Sequence, residues 1–270
     1  MANKSMKLRF IILVNVLMLS ACYTPPPPQS HTGDVWQVAW SPDGRTIATG
    51  SWDHTVNLWD AQSGQLIHTL KGYSDVVVSL AWSPNSAFIA AGDKAGKVIV
   101  WNAQTSESQR TLEGDLAAWS PDGKTLVTWF FYSRNDDTIS LWNTQTGERA
   151  CKLGPVWNQP VFSVAWSPDN AKLVSEILLH GELYLWGVSS CSLISQGAMG
   201  SSESSVESLA WSRDGKTLAG GSYNGLVFLW DTQKQGLPIA TLNKHRYNEG
   251  VGSIALCVTM CETMISDKLV

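Results

Sequence analysis

VWQVAWSPDGRTIATGSWDHTVNLWD, residues 35–60, is the stretch around which the chain is built, because most of its 270 residues repeat it. The tryptophan of Trp40-Ser41-Pro42-Asp43-Gly44 returns at Trp82, Trp119, Trp166 and Trp211, at spacings of 42, 37, 47 and 45. The closing Trp59 returns at Trp101, Trp142, Trp186 and Trp230, at spacings of 42, 41, 44 and 44. Ten of the 14 tryptophans therefore sit at two recurring positions; the others are Trp36, Trp52, Trp129 and Trp157. Within one copy, Val35–Trp40, Thr46–Gly50, Thr55–Trp59 and Gly64–Leu70 are short, β-branched runs separated by turn residues. They read as four strands, a to d. In the a–b turn, Pro42 presets φ and Asp43-Gly44 suits a tight reversal.

A period of about 40–45 residues closed by Trp-Asp is the spacing of a propeller blade. The expected fold is all-β: a β-propeller of four-stranded antiparallel blades, with five complete blades, a partial sixth and an incomplete ring. The blades fall at about 31–72, 73–113, 114–154, 155–197 and 204–242, and the partial one at 243–270. In the partial copy, Gly252-Ser253-Ile254-Ala255 begins strand a and Glu262–Ser266 reads like strand b. Leu256-Cys257-Val258-Thr259 stands where Trp-Ser-Pro-Asp is expected. Seven blades would need about 290 residues, more than follow Ser30. The third copy departs most. Leu112 and Trp119 are close, so the loop into its strand a is nearly absent, and its b–c turn is lengthened around Trp129–Arg134.

The first 21 residues carry Lys4, Lys7 and Arg9 with no acid, then an apolar run from Phe10 to Leu19 broken only by Asn15. That is the length of a signal-peptide core and too short to span a bilayer. Leu19-Ser20-Ala21-Cys22 resembles the lipobox of bacterial lipoproteins. The resemblance implies a signal peptide over 1–21 and a lipid-modified Cys22 as the mature N-terminus. Two or three acyl chains would hold the protein stably on a membrane. An ordinary secretory signal cut near Ala21, or a short N-terminal anchor, is the alternative. Tyr23, where Asp is absent, resembles an outer-membrane destination in a two-membrane envelope. Residues 22–30 then form a Pro-rich linker, with Pro25–Pro28 as an extended spacer.

The five recurrences over residues 31–242 resemble the WD-repeat family. The resemblance implies an interaction platform and a bracing set in each blade. That set is a His before strand a, a Ser/Thr in strand b, an Asp in the b–c turn and the strand-c Trp. The first blade has all four, as His31, Thr49, Asp53 and Trp59. The second offers Tyr73, Ala91 and Ala95 before Trp101. The third offers Thr128, Asp136 and Trp142 without the His. The fourth offers Ser175, His180 and Trp186, and the fifth Gly220, Asn224 and Trp230. Closure by an N-terminal strand, common in the family, meets Pro25–Pro28, which cannot donate ladder hydrogen bonds.

Chemistry is sparse. There is no phosphate loop, no zinc-type spacing and no nucleophile elbow; Gly220–Asn224 misses the elbow by its last residue. His31, His54, His68, His180 and His245 are scattered. No cofactor, metal site or catalytic residue is expected. The net charge is −4, and without the three N-terminal cations 16 basic residues face 23 acidic ones, so nucleic acid is not an expected partner. Cys151 and Cys191 fall in different outer strands, which argues against their pairing. Cys257 and Cys261 flank a hairpin and either pair or fill space.

The candidate interaction patch is Trp36, Phe130, Phe131, Tyr132, Arg134, Trp157 and Phe162. It gathers loops of the third and fourth blades on one rim and holds residue types favoured at hot spots. Local packing over the shortened third blade explains the same rings equally well. The leading function is a lipid-anchored scaffold with protein partners at the cell envelope. The alternatives are a ligand-binding, metal-binding or hydrolytic propeller, with Asp115 and Glu207 as candidate cation holders, and a truncated array of little function.

Overall fold

The computed structural model describes residues 30–131, 138–154, 161–177, 182–198, 206–222, 225–234 and 238–243. Cys22, the Pro-rich linker, Tyr132, Arg134, Asp136, Trp157, His180, Asn224, Cys257, Cys261 and the partial sixth blade lie outside them. The described residues form strands and loops only, in five four-stranded antiparallel sheets, each with its strands in sequence order.

Blade 1 is β1 (Val35–Trp40), β2 (Thr46–Ser51), β3 (Thr55–Asp60) and β4 (Leu66–Lys71). Blade 2 is β5 (Val77–Trp82), β6 (Phe88–Asp93), β7 (Lys97–Asn102) and β8 (Ser108–Glu113). Blade 3 is β9 (Leu116–Trp119), β10 (Thr125–Trp129), β11 (Ile139–Asn143) and β12 (Arg149–Leu153). Blade 4 is β13 (Val161–Trp166), β14 (Lys172–Ile177), β15 (Glu182–Gly187) and β16 (Ser192–Ala198). Blade 5 is β17 (Val206–Trp211), β18 (Thr217–Ser222), β19 (Leu226–Asp231) and β20 (Ala240–Asn243). The all-β architecture read from the repeat is the one observed, and these five blades do not close a ring.

The a–b turn shows why Ser-Pro-Asp-Gly recurs. The Ser41 hydroxyl donates to Asp43 Oδ1 (2.6 Å) and accepts the Thr46 N–H (2.9 Å), while Asp43 Oδ1 accepts the Arg45 N–H. The fourth residue needs a left-handed backbone. Gly44 supplies it at φ 70°, and Ser86 and Asn170 adopt it at 60° and 62° in blades 2 and 4. Neighbouring turns are tied together by the same residues: Ser86 Oγ accepts the Asp43 N–H, and Asn170 Oδ1 accepts the Asp122 N–H.

The core lies between blades. Ala48, Val56, Leu58 and Leu70 of blade 1 pack on Val77, Ile89 and Ala91 of blade 2, and comparable clusters fill the other three junctions. Each blade therefore draws its stability from its neighbours. Every junction carries one directional bond. The indole N–H of Trp82, Trp119, Trp166 and Trp211 donates to the backbone carbonyl of Ala39, Ala81, Ala118 and Ala165, one blade earlier.

Contrary to the sequence expectation, Cys151 and Cys191 form a disulfide. Cys191 is not in an outer strand. It occupies the c–d turn before β16, with φ 50°, and that turn reaches across to β12 of blade 3. The Cα–Cα distance is 6.1 Å, within the usual span of a disulfide.

Candidate functional site: a braced blade and an aromatic rim

In blade 1 the four bracing residues form one chain of hydrogen bonds. Asp53 Oδ2 lies 2.9 Å from His31 Nδ1, His31 Nε2 lies 2.7 Å from Thr49 Oγ1, and the Trp59 indole N–H donates to Thr49 Oγ1 at 2.8 Å. An ionised Asp53 only accepts, so Nδ1 carries the imidazole proton and Nε2 accepts from the Thr49 hydroxyl. The donor direction runs from Trp59 through Thr49 to His31 and from His31 to Asp53. Asp53 also accepts from the Thr55 hydroxyl and from the N–H groups of Thr32 and Thr55, fixing the b–c turn and the loop into strand a together.

Burial raises the pKa of Asp53. The hydrogen bonds from Thr55, Thr32 and His31 outweigh it and hold the carboxyl at about 2, against an ordinary value of 3.8. A depressed carboxyl contributes stability that is full above its unfolded pKa and is lost as the pH falls through the folded one. Acidification from about pH 4 to about 2 is expected to remove roughly 2 kcal/mol. Comparing acid unfolding of the native chain and Asp53→Asn checks this: the variant should lack that part of the slope, and equal slopes would contradict it.

The other blades replace the brace by different means. In blade 2 the Tyr73 hydroxyl accepts the Trp101 indole N–H directly (2.7 Å), the phenol taking the room left by Ala91. Asp93, missed because Ala95 occupies the aligned place, is fully buried and accepts the N–H groups of Ser74, Ala95 and Lys97. In blades 3 and 4, Trp142 and Trp186 donate to Thr128 and Ser175. In blade 5 the Trp230 ring packs so closely on Gly220 that an added Cβ would lie 2.9 Å from it.

The rim residues share a backbone device. The a–b register shifts between Val35 and Gln37, Val77 and Ser79, Val161 and Ser163, and Val206 and Ser208. Trp36, Val78, Phe162 and Glu207 occupy this irregular position, and such bulges re-aim a side chain. The proposed patch divides. Phe131 of blade 3 meets Phe162 of blade 4 edge-on, with ring centroids 5.1 Å apart, and Phe130 beside it is half-buried. Trp36 instead lies against Trp52 in its own blade, at 6.3 Å. Asp115 is buried, and its Oδ1 accepts the Phe131 N–H at 2.8 Å. It holds the aromatic turn in place, a role its position before a shortened strand did not reveal. Among the described residues no cluster of three or more His, Cys, Asp or Glu side chains is arranged to hold a metal ion.

Two outer clefts lie between blades 2 and 3, floored by Phe88, Trp119 and Trp142, and between blades 4 and 5, floored by Trp211 and Trp230. Their recurrence at equivalent places marks them as products of blade packing.

The profile of the WD domain, G-beta repeat family matches residues 27–60, 64–102 and 188–231. Cell division cycle 20.1, cofactor of APC complex, from Arabidopsis thaliana is 25% identical over 228 residues, covering 78% of this chain and 40% of that protein. WD repeat-containing protein slp1 of Schizosaccharomyces pombe is 26% identical over 220 residues, covering 78% of this chain and 36% of that protein. The chain thus spans less than half the length of these curated relatives. The crystal structure of the β-propeller domain of Cps50 (Swd1) from Myceliophteria thermophila superposes with a TM-score of 0.67 at 16% identity, covering 80% of this chain and 73% of that one. Five four-stranded sheets in blade order show a β-propeller fold, and three stretches of the chain match the WD repeat, as do the relatives it resembles.

Proposed function

We propose that this propeller is a lipid-anchored, extracytoplasmic scaffold that holds a protein partner on the rim of blades 3 and 4. The observation that carries the reading is the Phe131–Phe162 pair. Two half-buried rings from neighbouring blades are fixed against each other, and the buried Asp115 carboxylate pins the backbone of one. A rigid aromatic pair with little rotamer entropy left to lose is what a protein hot spot requires. Export is supported independently. The Cys22 lipobox gives the address, and a disulfide between blades suits an oxidising compartment.

Phe131→Ala with Phe162→Ala is expected to weaken the partner's binding by about thirtyfold or more, roughly 2 kcal/mol. The assay is quantitative co-purification from cross-linked envelopes, with folding checked by circular dichroism. Undiminished recovery would remove the rim as the binding surface. For the anchor, Cys22→Ser should move the protein from the detergent phase to the aqueous phase in cloud-point partitioning and abolish palmitate labelling. A variant that still partitions with detergent and still labels would exclude Cys22 as the lipid site.

A further inference from the structure

Trp36 and Trp52 form a bare aromatic pair on the rim of blade 1. Each is 52% exposed, and their ring centroids are 6.3 Å apart. The same rim position is treated differently in the next blades. Val78, at the irregular place in β5 that Trp36 takes in β1, is 4% exposed, and Phe162 in β13 meets Phe131 of the neighbouring blade. The indole N–H groups of Trp59, Trp101, Trp142 and Trp186 are spent on hydrogen bonds inside their blades. Among the described residues no hydrogen bond engages the indole N–H of Trp36 or Trp52.

The pair stands where the chain enters the propeller. His31 bonds to Asp53, the Thr32 N–H donates to Asp53, the Ser51 hydroxyl donates to the Gly33 carbonyl, and the Trp52 N–H donates to the Asp34 carbonyl at 2.9 Å. Gly33 lies so close on the b–c turn that a Cβ there would stand 2.8 Å from the Asp53 nitrogen. Four consecutive residues are thus fixed to the turn that carries Trp52, and Trp36 follows two positions later. The brace of blade 1 therefore holds two exposed indoles and the incoming chain on one corner. His31 is nine positions past Cys22, a contour of at most about 30 Å.

We propose that the Trp36–Trp52 corner of blade 1 seats in the headgroup region of a lipid bilayer. The assignment rests on the lipid anchor at Cys22 proposed above: the short tether starts from the corner that carries the indoles, so acyl chains and indoles meet the same bilayer. An indole has an apolar body and a polar N–H, and it favours the boundary where one end is apolar and the other wet. Charge does not drive the contact. Residues 31–40 and 51–56 hold Asp34 and Asp53, the histidines His31 and His54, and no lysine or arginine. A zwitterionic phosphatidylcholine surface therefore suffices, because attraction to anionic lipid needs basic residues. Blade 2 separates this corner from blade 3, which leaves the Phe131–Phe162 pair to a protein partner.

The test reconstitutes the intact lipidated chain in phosphatidylcholine vesicles with and without brominated acyl chains. Flotation with the vesicles reports the anchor, and loss of tryptophan emission in the brominated vesicles reports the seat. The native chain should float and be quenched. Trp36→Phe with Trp52→Phe should float equally and lose at least about half of that quenching. A native chain that floats without quenching overturns the seat and leaves the anchor standing, and so does quenching that the double variant retains in full. A chain that does not float removes anchor and seat together. A measurement on the unsubstituted chain guards against misfolding of the variant: quenching should survive about 1 M salt, which shortens the Debye length to about 3 Å. Quenching lost in salt would mean that charge holds the corner, and would equally sink the assignment.

Discussion

Reduction of the Cys151–Cys191 disulfide is expected to lower the stability of the propeller by about 4 kcal/mol. The bridge closes a loop with a sequence separation of 40, and loop-closure entropy of the unfolded chain scales to about that value. Its position strengthens the expectation. It joins blades 3 and 4, where the inner strand β9 has only four residues. In a repeat array, stability is a sum of blade and interface contributions, so loss of this tie should unfold the chain first across that junction. Denaturant unfolding with and without reductant, alongside Cys151→Ser with Cys191→Ser, measures it. A change below about 1 kcal/mol would mean that the unfolded chain is not restrained as the loop length implies. Hydrogen exchange should rise first in β12 and β13.

Thr49→Val is expected to cost about 3 kcal/mol, although it changes shape little. The Thr49 hydroxyl stands between the Trp59 indole N–H and His31 Nε2, and the His31 side chain is only 3% exposed. Valine would leave two polar atoms unpaired, each costing about 1–3 kcal/mol. Thr49→Ser restores the hydroxyl and should stay within about 1 kcal/mol of the native chain. If valine and serine behave alike, the effect belongs to packing at β2 and not to the hydrogen-bond chain. A lost brace would also release Asp53 from His31, so the acid-unfolding slope of Thr49→Val should lie between those of the native chain and Asp53→Asn.

Much of the architecture was legible because it is local and repeated. Strand limits follow from β-branched runs, and the a–b turn follows from a serine, an aspartate and a left-handed fourth residue, all within six positions. Blade 1's brace was legible for the same reason, since each member sits at a fixed offset in the repeat. What was misread depends on contacts that no fixed offset in the repeat specifies. Asp93 lies two residues from the position an alignment of turns would choose, yet it binds three backbone N–H groups. Asp115 looks like an open rim carboxylate in sequence, and only packing shows it buried beneath Phe131. The pairing of Cys151 with Cys191 was argued against from strand assignment, but a turn of left-handed backbone places Cys191 over the neighbouring blade.

The stretch 35–60 and its recurrences thus determined by themselves the class of fold and the five blades seen among the described residues. Hydrophobic period and turn chemistry act over a few residues and survive copying. The tertiary structure alone decided which rim residues meet, Phe131 with Phe162 and Trp36 with Trp52. The Phe131–Phe162 contact depends on how one sheet sits against the next, and no single repeat contains both of its sides; the Trp36–Trp52 contact depends on how the irregular first strand aims its side chain.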